Sequence, residues 1–205
     1  KLSKRHGATA VNEFKKAGYL PEALINYIAL LGCSYEDGRD IYSLDELVHL
    51  FRIDRLNKAP AVFDYQKLEW FNGQYIRMKS DKELAELIRP YLIDAGLRKE
   101  KDPQKDQMEM AAMPLIKERL KLLGDSPAIM SYLYKRLEMP SVETFIPKKA
   151  SVDEAIMYLE ECRSILQNSN LDDLLVIEER FRERVAAIGK KLGDILMPLR
   201  VAITY

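Results

Sequence analysis

Apolar residues recur at spacings of three and four along most of the chain, and stop signals divide them into runs. Val11 and Phe14 lead to Gly18, which predicts a short helix with a glycine stop. Pro21 suits the first position of a second helix, where its missing N–H leaves nothing unpaired. Leu24, Tyr27, Ile28 and Leu31 carry that helix to Gly32. Ser43 and Glu46 have the spacing of a capping box ahead of Leu47, Leu50 and Phe51. Asp64 predicts the cap of a short helix through Leu68 and Phe71, closed at Asn72-Gly73, and Gln74 to Met78 is the best strand candidate.

From Ser80 the pattern is helical throughout. Ser80 and Glu83 form a second capping box before Leu84, Leu87, Ile88, Tyr91 and Leu92, with Gly96 as the stop and Pro90 expected to kink or break the run. The polar segment from Arg98 to Lys105 predicts a turn between two layers. Pro103 then starts a helix through Met110, Met113, Leu115 and Ile116 to Leu123, interrupted by Pro114. A further helix follows Ser126-Pro127 through Leu133 and Leu137, and Met139 to Ala150 is a loop or domain boundary. Ser151 and Glu154 form a third box before the stripe Val152, Ile156, Leu159, Cys162 and Leu166. Leu171 to Ile188 and Lys191 to Val201 complete the chain, the latter interrupted by Pro198. The expected fold is mainly α, in two helical parts hinged near residues 76–80.

Composition narrows the function classes. Of 205 residues, 47% are hydrophobic and 31% charged, enough apolar content for a core and too much for a disordered tail. Thirty-two basic residues balance 32 acidic ones, so the chain is neither a basic nucleic-acid coat protein nor an acidic tail. Binding RNA needs only a local stripe of cations. Cys33 and Cys162 have no metal-ligand spacing and predict small core residues in a reducing, cytoplasmic setting. No apolar run is long enough to span a membrane. The chain opens at Lys1 without an initiator Met, so it is expected to be a piece of something longer.

The usual catalytic strings are absent: no HExxH, GxSxG or GxxxxGK[ST] occurs. Glu46 and His49 have Glu-x-x-His spacing, but a di-metal bundle needs that pair twice, and no metal is expected. The carboxylates are expected on solvated helix faces. One string is unusual: Lys1-Leu2-Ser3-Lys4-Arg5-His6-Gly7 gathers three cations, a hydroxyl and a glycine. Such a group suits a loop over a polyphosphate, where cations offset charge on a transferring phosphate; the competing reading is a solvated terminus. Trp70 and Phe71 are expected in the core, although either could stack on a base. Met108, Met110 and Met113 are expected to fill the core, and Tyr132 and Tyr134 fit either role.

KLSKR at 1–5 resembles the KMSKS-type signature loop of class I aminoacyl-tRNA synthetases. Nearly all of the remaining chain is similar to the bacterial glutamyl-tRNA synthetases: GYLPEALINYIALLG at 18–32, YSLDELVHLF at 42–51, PAVFDYQKLEWFNGQYIR at 60–77, PLIKERLKLL at 114–123 and ILMPLRVAIT at 195–204. The resemblance implies residues 1–8 as the signature loop, 9–78 as a stem-contact domain with little strand, 79–147 as a first helical anticodon-binding subdomain, and 148–205 as a second, incomplete one. It implies an ATP-dependent ligase, using Mg2+, that attaches glutamate to tRNA-Glu. The sheet domain that forms the adenylate precedes the signature loop in that family. This portion alone would therefore bind tRNA without catalysis and hold no cofactor tightly, as a monomer with no membrane partner.

Residue by residue, Lys4 matches the signature lysine that contacts ATP in the family, and Lys1 and Ser3 match the rest of the loop. Leu2 and Arg5 replace the Met and final Ser of the generic motif. Arg119 matches an arginine that reads the third anticodon base, and Arg200 matches one in the second anticodon subdomain. An arginine suits that task because its planar fork can bond one base edge twice. The competing reading pairs Arg119 and Arg200 with helix-face carboxylates such as Glu118 or Asp194. In the family, arginine at this place goes with charging tRNA-Glu only, so the resemblance implies a choice for tRNA-Glu over tRNA-Gln. The alternative from another class is an α-helical scaffold for protein partners with no RNA role, against which the retained KLSKR loop argues.

Overall fold

The computed structural model describes residues 10–33, 35, 38–58, 61–135 and 138–204. Among these described residues, ten α-helices and three short 3-10 turns account for the regular structure. They contain no strand, only a single antiparallel bridge between Cys33 and Leu56. The chain forms two compact units, one ending at Tyr134 and the other beginning at Lys135.

The first unit contains α1 (Val11–Ala17), α2 (Pro21–Gly32), α3 (Leu44–Leu50), α4 (Tyr65–Met78), α5 (Asp81–Asp94), α6 (Pro103–Lys117) and α7 (Ser126–Tyr134). Helix α1 stops where the sequence predicts, because Gly18 turns left-handed at φ 98° and its N–H bonds back to Phe14 and Lys15. Ser43, Ser80 and Asp64 cap α3, α5 and α4; the two serines form full boxes with Glu46 and Glu83.

Two expectations fail on α4. Asn72-Gly73 does not end the helix, and the strand candidate Gln74 to Met78 is its last turn. The stripe Leu68, Phe71, Asn72, Tyr75 and Ile76 keeps one helical face buried straight through the Asn-Gly pair, so tertiary burial outweighs the local break. Nor is 76–80 a hinge between separately packed parts. Tyr75 and Ile76 lie in the same core as Leu84, Ile88, Leu92, Met113, Ile116, Leu120 and Met130 on either side of it. Pro90 and Pro114 sit inside continuous helices without breaking them.

A second, aromatic cluster holds α1, α2 and α4 together: Phe14, Tyr19, Tyr27, Leu68 and Phe71, with Phe63 and Tyr65 packed against it. Tyr27 meets Phe63 edge to face at 5.0 Å between ring centroids, and its hydroxyl accepts from the Asp64 N–H at 2.7 Å. The α4 cap is thereby fixed to α2. Asn26, fully buried on α2, accepts from the Tyr42 N–H at 2.9 Å and donates to the Asp40 carbonyl at 3.1 Å.

The second unit packs α8 (Val152–Gln167), α9 (Leu174–Ile188) and α10 (Leu192–Thr204) around Tyr158, Cys162, Phe181, Val185 and Ile195. Ser151 and Glu154 form the expected box, and Pro198 lies inside an unbroken α10. Both cysteines are buried, as expected of core residues. Burial pushes the Cys162 thiol up from 9.0 to about 11, with the Glu161 charge adding to it. Because the folded value is the higher one, Cys162 contributes full stability below pH 9 and loses it as pH climbs toward about 11. Native Cys162 is therefore expected to resist a maleimide reagent at pH 8 and to react only in denaturant, as read by intact mass.

Candidate nucleic-acid interface

Helix α6 is started by the Asp102 side chain, which accepts from the Lys105 N–H, with Pro103 at the first turn. At its other end Ile116 and Leu120 both point into the core. Arg119 lies between them on the closing turn, its N–H bonded to the Ile116 carbonyl at 2.9 Å and its side chain exposed. Arg200 is exposed on α10 between the buried Pro198 and Val201. The pairing of Arg119 with Glu118 and of Arg200 with Asp194 does not form. Among the described residues neither guanidinium has a carboxylate partner. The two arginines lie in different units. Lys1, Ser3 and Lys4 lie outside the described residues, with the rest of the signature string.

Helix α4 presents a second polar surface. Phe71 is buried as expected, but Trp70 is 45% exposed, contrary to its expected place in the core. The buried stripe of α4 runs through 68, 71, 72, 75 and 76, and position 70 points away from it. With the Gln74 amide turned to face its donors, its oxygen accepts from Trp70 Nε1 at 3.2 Å and from the Arg77 guanidinium at 2.9 Å. Of the methionines, Met113 is buried, whereas Met110 is 40% exposed on the outer face of α6 and does not fill the core.

Sequence reasoning missed the buried polar groups. Arg98, assigned to a polar turn between two layers, is buried with Glu109, and both side chains are almost inaccessible. The guanidinium pairs with Glu109 at 2.5 Å and with Asp106 at 2.8 Å, and Tyr134 donates its hydroxyl proton to the other Glu109 oxygen at 2.6 Å. Burial works against the Arg98 charge, but the bonds to Asp106 and Glu109 outweigh it and raise its pKa. Burial, then the bond to Glu109, pushes the Tyr134 hydroxyl far above its usual value. A signal existed in the register: Glu109 stands four and seven residues before Met113 and Ile116, on the face that the pattern buries. Asn72 likewise stands midway between Leu68 and Ile76.

Glu46 is occupied in its capping box and His49 Nδ1 faces the Asp45 carbonyl at 2.7 Å. Among the described residues no three His, Cys, Asp or Glu side chains gather to hold a metal, and no helix is long and apolar enough to cross a membrane.

Among the described residues the fold is all-helical, with Arg119 exposed on a turn and Arg200 exposed on a helix face, an arrangement compatible with the class of helical nucleic-acid-binding modules. Comparison with known proteins agrees. The family described as "Anticodon binding domain" matches residues 83–204, and "tRNA synthetases class I (E and Q), catalytic domain" matches 1–70. A glutamate–tRNA ligase of Treponema denticola is 47% identical over 225 aligned positions, covering all of this chain and 44% of that protein. The Treponema pallidum (strain Nichols) ligase is 42% identical, covering all of this chain and 42% of that one. A crystal structure of a glutamate tRNA ligase from Elizabethkingia meningosepticum has a TM-score of 0.71 at 27% identity, over 98% of this chain and 38% of that one. The chain belongs to the anticodon-binding domain family and corresponds to the C-terminal region of the glutamate–tRNA ligases. It spans less than half the length of these curated relatives.

Proposed function

We propose that this chain is the tRNA-recognition portion of a ligase that uses ATP to join glutamate to tRNA-Glu, in a cytoplasmic setting. Residues 9–78 would meet the stem of the tRNA, and 79–147 and 148–205 its anticodon arm, with Arg119 reading the third anticodon base and Arg200 contacting the same arm. The observation that carries this reading is Arg119 itself. It lies within the stretch matched by the anticodon-binding family, on a turn anchored by two buried residues, exposed and without an acidic partner among the described residues. Unpaired anticodon bases expose the edges that such a fork can bond. Lys1, Ser3 and Lys4 would supply the cations that ATP meets, with Mg2+ as its counterion, once joined to the adenylate-forming domain of the whole ligase. The scaffold alternative finds no support among the relatives.

The test is filter binding of the purified chain to tRNA-Glu and to a transcript changed at the third anticodon base. The expected result is salt-sensitive binding, with a loss of about 1–3 kcal/mol for the changed base and a similar loss for Arg119→Ala. Equal affinity for both transcripts, unaltered by Arg119→Ala, overturns the anticodon assignment. No measurable binding to any tRNA at low salt overturns the function.

A further inference from the structure

Asn72 is fully buried in the middle of α4, yet it satisfies none of its side-chain bonding within its own helix. Its oxygen accepts from the Leu20 N–H at 2.7 Å, at the start of α2. Its amide nitrogen donates to the Gly18 carbonyl at 3.2 Å and to the Lys121 carbonyl at 2.6 Å. One carboxamide thus holds the α1–α2 turn and the segment after α6 against α4. That second segment carries Arg119, two residues before the carbonyl that Asn72 holds.

The same turn is held from its other side. Lys117 donates to the Lys79 carbonyl at 2.7 Å and pairs with Asp81 at 2.5 Å, at the junction of α4 and α5. Between these anchors Ile116 and Leu120 are locked in the core, so Arg119 emerges from a short span fixed at both ends. Farther along, the Leu123 N–H bonds to the Gly18 carbonyl at 3.0 Å, and Gly124 packs directly on the backbone of Ala17. The Gly18 carbonyl is therefore shared by Asn72 and Leu123, tying the exit of the turn to the carboxamide that holds its centre. The bond of Asn72 to the Gly18 carbonyl is buried, and leaving such a group unpaired is costly, which favours this arrangement.

We propose that Asn72 is a positioning residue for Arg119: through the Lys121 carbonyl it sets the direction in which the guanidinium leaves the surface, and with it the choice of nucleobase. The proposal rests on the anticodon role of Arg119. Asn72 touches no RNA itself. A polar group spent on holding a loop acts on the geometry of recognition, and a small misplacement of a planar fork loses the bidentate bond to a base edge while leaving phosphate contacts intact.

The test measures binding of tRNA-Glu and of the transcript changed at the third anticodon base to the chain and to Arg119→Ala, Asn72→Ala, Asn72→Asp and the Asn72→Ala/Arg119→Ala double variant, with a thermal melt of each. Asn72→Asp keeps the shape and the acceptor for Leu20 but loses the donors to both Gly18 and Lys121 and, when ionised, sets a charge against their carbonyls, so binding of every variant is measured below the lowest of the melting temperatures. The expected result is a fall in discrimination of about 3- to 30-fold in either Asn72 variant, with overall tRNA affinity largely kept, and no further fall when Asn72→Ala is added to Arg119→Ala. A purely structural role would lower the melting temperature and affinity for both transcripts alike, and that outcome overturns the proposal. Discrimination intact in both Asn72 variants, alongside its loss in Arg119→Ala, overturns the proposal alone. Discrimination intact in Arg119→Ala overturns the anticodon reading and the proposal with it.

Discussion

Replacing Glu109 by leucine is expected to destabilise the first unit by about 3–5 kcal/mol, the usual range for removing one partner of a buried ion pair. The cause is what remains. Arg98 stays charged and almost inaccessible, and Tyr134 loses the acceptor for its hydroxyl. Asp106 still pairs with Arg98 at 2.8 Å but is partly exposed, so it offsets only part of the loss. Removing both charges has a different outcome: Arg98→Met with Glu109→Leu replaces the pair by apolar volume and is expected to recover the part of the loss due to the stranded charge, while the Tyr134 hydroxyl still lacks its acceptor. Urea denaturation of the two single variants and the double variant gives the comparison directly. A Glu109→Leu variant as stable as the parent would show that the pair contributes nothing to the fold.

Gly18→Ala is the second large effect. A side chain there bears the left-handed backbone, worth about 1–2 kcal/mol, because the glycine sits at φ 98°. A Cβ would also lie 2.3 Å from the Gly124 nitrogen and 2.6 Å from the Leu123 nitrogen, a backbone overlap that costs a further amount of about 1–3 kcal/mol. Gly96 provides the control, since it too is left-handed, at φ 68°, but a Cβ added there would meet nothing within 4 Å. Gly96→Ala is expected to show the backbone cost alone. Thermal melts of the two variants side by side separate strain from overlap; equal losses would show that the close approach of Gly18 and Gly124 contributes nothing to the fold. The overlap also falls on the segment that follows Arg119, so Gly18→Ala is expected to weaken anticodon discrimination together with stability.

Helix starts were legible in the sequence because they are local: Ser43, Asp64, Ser80 and Ser151 each bond an N–H two or three residues ahead, and that spacing is written in the chain. Asn72-Gly73 misled because the same pair that often ends a helix is here held by partners 49 to 54 residues away. Arg98 and Glu109 misled for the same reason: each is charged, and only the partner across the packed layers makes burial tolerable. The arginines at 119 and 200 were singled out through the family resemblance. Their exposure, and the absence of an acidic partner among the described residues, were not legible, because Glu118 and Asp194 stood close enough in sequence to compete for them.

The order of residues by itself determined the helical class, the caps, the glycine stop at 18 and the kinship with the anticodon-binding family, all of which depend on short spacings or on strings that survive being read in line. Tertiary structure alone decided that α4 runs through its Asn-Gly pair, that α4 and α5 share a core, that Trp70 faces outward, and that Arg119 stands on a turn held from α4. Those outcomes depend on contacts between distant segments. The free energy of burying one face, or of satisfying one buried carbonyl, exceeds the small local preference that a neighbouring residue expresses.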